Sequence, residues 1–278
     1  MAAASAAADP RADSAGALGA DPRRSGRRGV LDNAGMDSFP PPFVQGPASG
    51  RVYRTRRVVR SADVTPSGRL RLDALARYLQ AAAEDDLVDS GLAEPVWWVM
   101  RRCELAISSL PVVGDRLSVA TYCSGTGPRW AERTTTLSGA DGEAVQARAV
   151  WAAVRRADGR PARLSADFLR SYGESAAGRT VSARLSHPRP DSAADRRAWP
   201  LRATDFDLAG HVNNAVHWAA VEDELAVSCW VPAVAEMEYH RAITPGCAPT
   251  LVTDRRDREA AIWLMAGDSL LASAWLER

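Results

Sequence analysis

An internal repeat constrains this 278-residue chain more than any other feature. Arg60-Ser-Ala-Asp63-Val-Thr65-Pro-Ser-Gly68-Arg69-Leu70 aligns without gaps to Arg202-Ala-Thr-Asp205-Phe-Asp207-Leu-Ala-Gly210-His211-Val212, at an offset of 142 throughout. Arg, Asp and Gly coincide, and Leu70 meets Val212. A helix is predicted after both segments, over Leu70–Asp86 and Asn213–Val227. Further on, Glu104 stands seven residues before Pro111 and Glu238 seven before Pro245, and Asp141…Trp151 loosely mirrors Asp268…Trp275. Matches in the same order predict a pseudo-dimer of two similar units rather than one large domain.

The first unit supplies the element order. Val52–Arg60 reads as a strand, and Asp63–Gly68, rich in breakers, as a turn. In Leu70–Asp86 the apolar residues Leu72, Leu75, Leu79, Ala82 and Ala83 recur at helical spacing, so one helix face is buried. Trp97–Ser108, Arg116–Ser124, Arg129–Leu137 and Ala144–Arg155 read as strands, with turns at Gly125–Pro128 and Gly139–Gly142. One helix followed by several long antiparallel strands is the order of a hotdog fold. The expected class is therefore α+β: two tandem hotdog domains, a long antiparallel sheet wrapped around a central helix in each.

Residues 1–50 are rich in Ala, Gly, Pro, Ser and Arg and carry no apolar period. They cannot bury enough surface to offset ordering entropy and are expected to be disordered. Met36 is a natural start, so residues 1–35 are expected to be untranslated. The N-terminal domain is assigned to 51–172, a linker to 173–198 with its centre at Pro188–Arg197, and the C-terminal domain to 199–278. A hydrophobic content of 46 % allows a real core, and a net charge of +1 supplies no field for nucleic acid. No apolar run is long enough for a membrane span. All 35 basic residues are Arg, which rules out lysine chemistry such as a Schiff base. Four Cys without metal-ligand spacing, and no secretory signal, point to reduced thiols and a cytoplasmic protein. Neither a metal nor an organic cofactor is implied.

The repeat also shows where the polar chemistry lies. Asp207 faces Thr65 in the other copy, His211 faces Arg69, and Asn213 faces Arg71. Only the second copy gathers a carboxylate, an imidazole and two amides (Asn213 and Asn214) where a strand turns into a helix. A helix start offers free backbone N–H groups and a positive dipole end, which can hold a carbonyl oxygen as it becomes an oxyanion. A nearby carboxylate can act as general base for water or as nucleophile. Against this, Asp in a turn usually bonds its own backbone and Asn often only caps a helix. Four such groups in one short turn, absent from the sister copy, favour function. Asp205 matches Asp63 and is assigned a structural role, and His217, beside Trp218, is expected to be a partly buried helix residue.

At these residues the chain resembles the acyl-acyl-carrier-protein (acyl-ACP) thioesterases of plants and bacteria. The family signature, an acidic turn followed by His-Val-Asn-Asn, stands here as Asp205-Phe-Asp207-Leu-Ala-Gly-His211-Val-Asn213-Asn214. Arg77-Tyr-Leu-Gln-Ala-Ala-Ala83, Trp98-Val-Met-Arg101-Arg102, Gly127-Pro-Arg-Trp130-Ala-Glu-Arg133, Gly159-Arg-Pro161 and Met237-Glu238-Tyr239 are also family-like. The resemblance spans roughly Val52 to Trp275.

It implies hydrolysis of acyl-ACP to free fatty acid and carrier in fatty acid biosynthesis. Asp207 and His211 fall on the catalytic positions, Asn213 would orient water or substrate, and Asn214 and Glu222 are further candidates, Glu222 as a second carboxylate. The first domain would shape the acyl tunnel, with Leu79, Trp98 and Met100 as pocket residues. Arg101, Arg102, Arg129 and Arg133 would meet the acidic carrier. Two family positions are not kept: Ala209 stands for an Asn and Ala242 for a Glu. An acyl-CoA thioesterase and a non-catalytic acyl-binding protein are the alternatives. A hydratase on a double hotdog uses a different Asp/His arrangement. Tandem domains are either self-sufficient or pair again into a homodimer.

Overall fold

A computed structural model describes residues 45–191, 194–228 and 230–278. The expected disordered extension, residues 1–50, lies almost wholly outside these, as do residues 1–35.

Among the described residues, ten strands form one antiparallel sheet. The first half holds β1 (Tyr53–Val58), β2 (Val96–Ile107), β3 (Arg116–Thr126), β4 (Trp130–Gly139) and β5 (Gly142–Arg155). The second holds β6 (Asp195–Ala198), β7 (Val234–Tyr239), β8 (Thr250–Arg255), β9 (Glu259–Ala266) and β10 (Ser269–Glu277). Their spatial order is β1-β3-β4-β5-β2-β7-β10-β9-β8-β6, which reads as the same unit twice, outward from the centre. The halves join where β2 pairs with β7. Cys103 stands opposite Met237, and Arg102 opposite Glu238 is mirrored by Glu104 opposite Glu236. Glu104 and Glu238, matched in the sequence, are thus related by the pseudo-twofold through this pairing.

Each half wraps a long helix, α1 (Leu72–Asp89) and α3 (Asn214–Ser228); a short α2 (Ala166–Tyr172) follows the first half. The two long helices pack against one another. Leu72, Leu75, Leu79 and Ala82 of α1 are buried, as their spacing requires, in one apolar core shared with Trp218 and Val221 of α3. Tandem hotdog units therefore share a single core rather than folding as separate bodies.

The repeat is reproduced in backbone detail. Single-turn helices at Ser61–Asp63 and Ala203–Asp205 precede matching turns. Thr65 N–H donates to Arg69 O at 2.8 Å, and Asp207 N–H to His211 O at 2.8 Å. Arg71 N–H and Asn213 N–H donate to Asp63 O and Asp205 O at 3.0 and 2.9 Å. The α1 and α3 starts differ by the same offset of 142.

Two elements differ from expectation. The helix α2 was not predicted: it is only seven residues long, too short to establish a period, and is started by Ser165, whose hydroxyl accepts from Phe168 N–H. It packs Phe168 and Tyr172 against Trp98, Cys123 and Ala131 at the open end of the first unit. The linker centre, expected at Pro188–Arg197, ends inside β6, which hydrogen-bonds to β8 at the sheet edge. All of β6 is exposed, so it has no apolar alternation to read. The linker itself is a strap across the sheet. Trp130 and Trp263 indole N–H groups donate to Val181 O and Pro188 O at 2.8 and 2.7 Å. Buried Glu238 accepts the N–H groups of Ser186 and His187 at 2.6 and 3.1 Å. Among the described residues, no helix is long and apolar enough to cross a membrane.

Candidate active site

Asp207 and His211 close the turn that leads into α3. Gly210 sits between them at φ +74°, a left-handed conformation that residues other than glycine rarely adopt. This turn treats the two oxygens of Asp207 differently. Oδ1 accepts from Ala209 N–H at 2.9 Å and His211 N–H at 3.3 Å. Oδ2 is buried and, among the described residues, has no hydrogen-bond partner. Buried polar atoms are nearly always paired, so an orphan oxygen on a fixed carboxylate marks a candidate place for a water or a reactant. The family's Asn side chain is absent at Ala209, yet the backbone there still holds the carboxylate. His211 is 6 % exposed. Burial pushes its pKa below the ordinary value against the pull of Asp207, so the ring is neutral and offers one donor and one acceptor.

The start of α3 supplies the N–H groups. Asn213 Oδ1 accepts Ala215 N–H at 2.9 Å, capping its own helix. Among the described residues, none accepts the Asn214 N–H. The Asn214 carbonyl accepts the Tyr239 hydroxyl at 3.2 Å, which fixes this first turn. His217 is buried with Nδ1 3.1 Å from Asn213 O and its ring edge-on to Tyr239. Desolvation pushes its pKa down to about 4, so it is a neutral packing residue. Asp205, 3 % exposed, closes its own turn by accepting Arg202 N–H at 2.8 Å, the structural role its match to Asp63 implies.

Three cavities adjoin one another through shared wall residues. An open cleft is lined by Asp207, Asn213, Ala215, Gln80 and Glu84. Gln80 and Ala215 also line an inner pocket with Asn214, Leu79, Met100 and Trp218. Ala83, Arg133 and Trp151 pass from that pocket into a third, mainly apolar one that Trp98, Phe168 and Tyr172 close. Leu79 and Met100 therefore line the pocket next to the cleft, and Trp98 the one beyond it.

Glu222 does not join Asp207, and the expectation of a second carboxylate is corrected. It lies against the other half: its oxygens take Arg69 at 2.9 Å each, and Oε1 accepts Leu72 N–H at 2.6 Å. The long helices lie side by side, so a mid-helix residue of α3 reaches the first turn of α1 rather than its own turn. Three of the four arginines read as carrier-facing have other duties. Arg133 pairs with buried Asp86 at 2.6 Å, Arg102 donates to strap carbonyls, and Arg101 is half-buried near Glu238. Arg129 alone of the four is exposed. Gln80 was missed, although it is the residue that the 142 offset sets against Glu222.

Comparison with known proteins gives consistent matches. The acyl-ACP thioesterase N-terminal domain family matches residues 50–172, and the acyl-ACP thioesterase C-terminal domain family matches residues 189–262. An uncharacterized protein of Mycobacterium tuberculosis is 29 % identical over 243 residues, 85 % of this chain and 96 % of that one. The 12:0-ACP thioesterase from Umbellularia californica superposes with a TM-score of 0.69 at 19 % identity, covering 81 % of this chain and 96 % of that one. A protein assigned as an oleoyl thioesterase from Lactobacillus plantarum gives 0.71 at 18 % identity, covering 83 % and 96 %. At such identities the two structures support the fold alone.

Proposed function

The chain belongs to the acyl-ACP thioesterase family, and on that basis we propose that it hydrolyses the thioester of an acyl-ACP, in fatty acid biosynthesis, with Asp207 as general base. The observation that carries this reading is the orphan Oδ2 of a carboxylate whose other oxygen is held by two N–H groups. A small turn of the side chain brings Oδ2 to the cleft, where a water gives it a proton as the water oxygen attacks the thioester carbon. The carbonyl oxygen becomes an oxyanion beside the Asn214 N–H, at the positive end of α3. The C–S bond then breaks, the proton on Asp207 passes to the departing thiolate, and free acid and carrier thiol leave. His211, neutral next to the base, donates to the attacking water or the carbonyl oxygen. The acyl chain follows the path past Leu79 and Met100 to Trp98.

Steady-state release of free acid from a panel of acyl-ACPs and acyl-CoAs tests the reading. Asp207→Asn keeps the shape but cannot take a proton, and is expected to lose about 100-fold or more in kcat. His211→Ala is expected to lose activity while still binding the acyl chain. Turnover of acyl-CoA alone would reassign the carrier. Acyl binding without turnover from either carrier would make the protein a binder rather than an enzyme.

A further inference from the structure

The two copies of the repeat act as each other's control. In the first copy, the N–H of Leu72, first residue of α1, is filled by Glu222 Oε1 at 2.6 Å. Arg69, the counterpart of His211, completes that arrangement with two bonds of 2.9 Å. A carboxylate oxygen has the charge and hydrogen-bonding habit of an oxyanion. The first copy thus displays, with an internal side chain, the anion that a helix start of this shape holds.

In the second copy the same positions are Asn214, His211 and Gln80. Among the described residues the Asn214 N–H is not taken up. Gln80 lines the open cleft with Asp207 and also the inner pocket with Asn214, so it borders the space on both sides. Its side chain is turned along its own helix, Nε2 donating to Glu84 Oε1 at 3.1 Å. An ionised carboxylate only accepts, which fixes the amide with its NH2 towards Glu84 and leaves one N–H of that group over.

Resting on the thioesterase reading above, we propose that Gln80 is a catalytic residue supplied by the half that lacks the Asp–His turn. Its second amide N–H joins the Asn214 N–H on the thioester carbonyl oxygen. The exchange of Glu for Gln between copies distinguishes an occupied helix start from an open one. A carboxylate at position 80 would take the Asn214 N–H for itself and repel the forming oxyanion. An uncharged amide leaves the site to substrate and lends a donor. The first half is therefore part of the catalytic apparatus as well as the wall of the acyl path.

The test uses the full chain with the acyl-ACP that wild type turns over best, and compares Gln80→Ala, Gln80→Glu and Asp207→Asn. Gln80→Ala is expected to lose about 100-fold in kcat, the size of one lost oxyanion donor, with KM and thermal midpoint close to wild type. Gln80→Glu is expected to be inactive near pH 7 and to regain activity relative to wild type as the pH falls below about 5, where a Glu takes up a proton and becomes a donor. A residue that merely packs would not give that pH-dependent recovery. If Gln80→Ala keeps kcat within about threefold of wild type while Asp207→Asn is inactive, the proposal fails and the role of Asp207 stands. A loss that appears only in KM or in the thermal midpoint also overturns it. Wild type inert towards both carriers would instead overturn the thioesterase reading itself.

Discussion

At the scale of single residues, Gly210 sets how sharply the turn between Asp207 and His211 folds back. Its φ of +74° is left-handed, and a β-carbon there would meet nothing within 4 Å, so the cost of a side chain is conformational rather than steric. Gly210→Ala is expected to destabilise by about 1–2 kcal/mol. Gly210→Asn should cost less, because Asn tolerates this region. Urea unfolding of both variants checks the order, and an Ala variant as stable as the Asn variant would contradict it. Both should also lower kcat, since the turn aims Asp207. Asp207, His211 and Asn213 could be singled out in the sequence as candidates because the sister copy carries Thr65, Arg69 and Arg71 there. The unequal fates of the Asp207 oxygens were not, because Oδ1 is held by backbone N–H groups whose direction depends on φ and ψ rather than on residue type.

At the scale of elements, the long helices start in different ways. Asn213 caps α3 with its own side chain, whereas Arg71, at the same place before α1, has no acceptor to offer. The missing cap arrives from α3 as Glu222, held by Arg69. Glu222→Ala leaves Arg69, with 18 % of its side chain exposed, without its partner and Leu72 N–H without an acceptor. A loss of about 3–5 kcal/mol is expected, as for breaking a largely buried ion pair. Because Glu222 serves the first copy, kcat below the melting range should stay near wild type. Denaturant titration and steady-state rates on the same variant check both halves of that statement. A large kcat loss without loss of stability would restore Glu222 as a second catalytic carboxylate. The central helices and long strands were readable from apolar period and turn residues. Which helix residue meets which turn was not readable by period alone, since it depends on two helices lying side by side. Extending the repeat alignment to position 80 would have paired Gln80 with Glu222, but not shown that each reaches across to the other copy.

At the scale of the whole molecule, buried titratable groups with opposite shifts govern how stability responds to pH. His217, beside the Asp207–His211 turn, is pushed down to about 4 from 6.5 by burial. Between those values the unfolded chain binds a proton that the folded chain refuses, so this group makes stability fall as the pH falls. Glu236, under the strap, is pushed up to about 7 from 4.5 by burial, with Glu104 and Glu238 adding repulsion and Arg102 and Arg148 opposing it. There the folded chain keeps a proton that the unfolded chain has lost, so stability falls as the pH rises from 4.5 to 7. The two effects are similar in size and opposite in sense, and largely cancel between pH 4.5 and 6.5. Glu238, held down at about 2 against its own burial by His240, His187 and the strap N–H groups, adds a loss only below pH 4.5. Wild type should therefore change much less from pH 6.5 to 4.5 than either group alone would give, tilted towards a loss at the acid end by His187, and weaken further below. Glu236→Gln removes one side of the balance, and its unfolding free energy should rise by about 3 kcal/mol from pH 4.5 to 6.5. His187, lowered by burial and facing Glu236, Glu238, His240 and Arg102, acts in the same direction as His217 and steepens that rise. Urea titrations at pH 4.5, 5.5 and 6.5 decide the matter. A variant whose pH slope matches wild type would mean that Glu236 is ionised throughout, and that the strap is held to the sheet by full charge pairs rather than by a carboxyl group that keeps its proton.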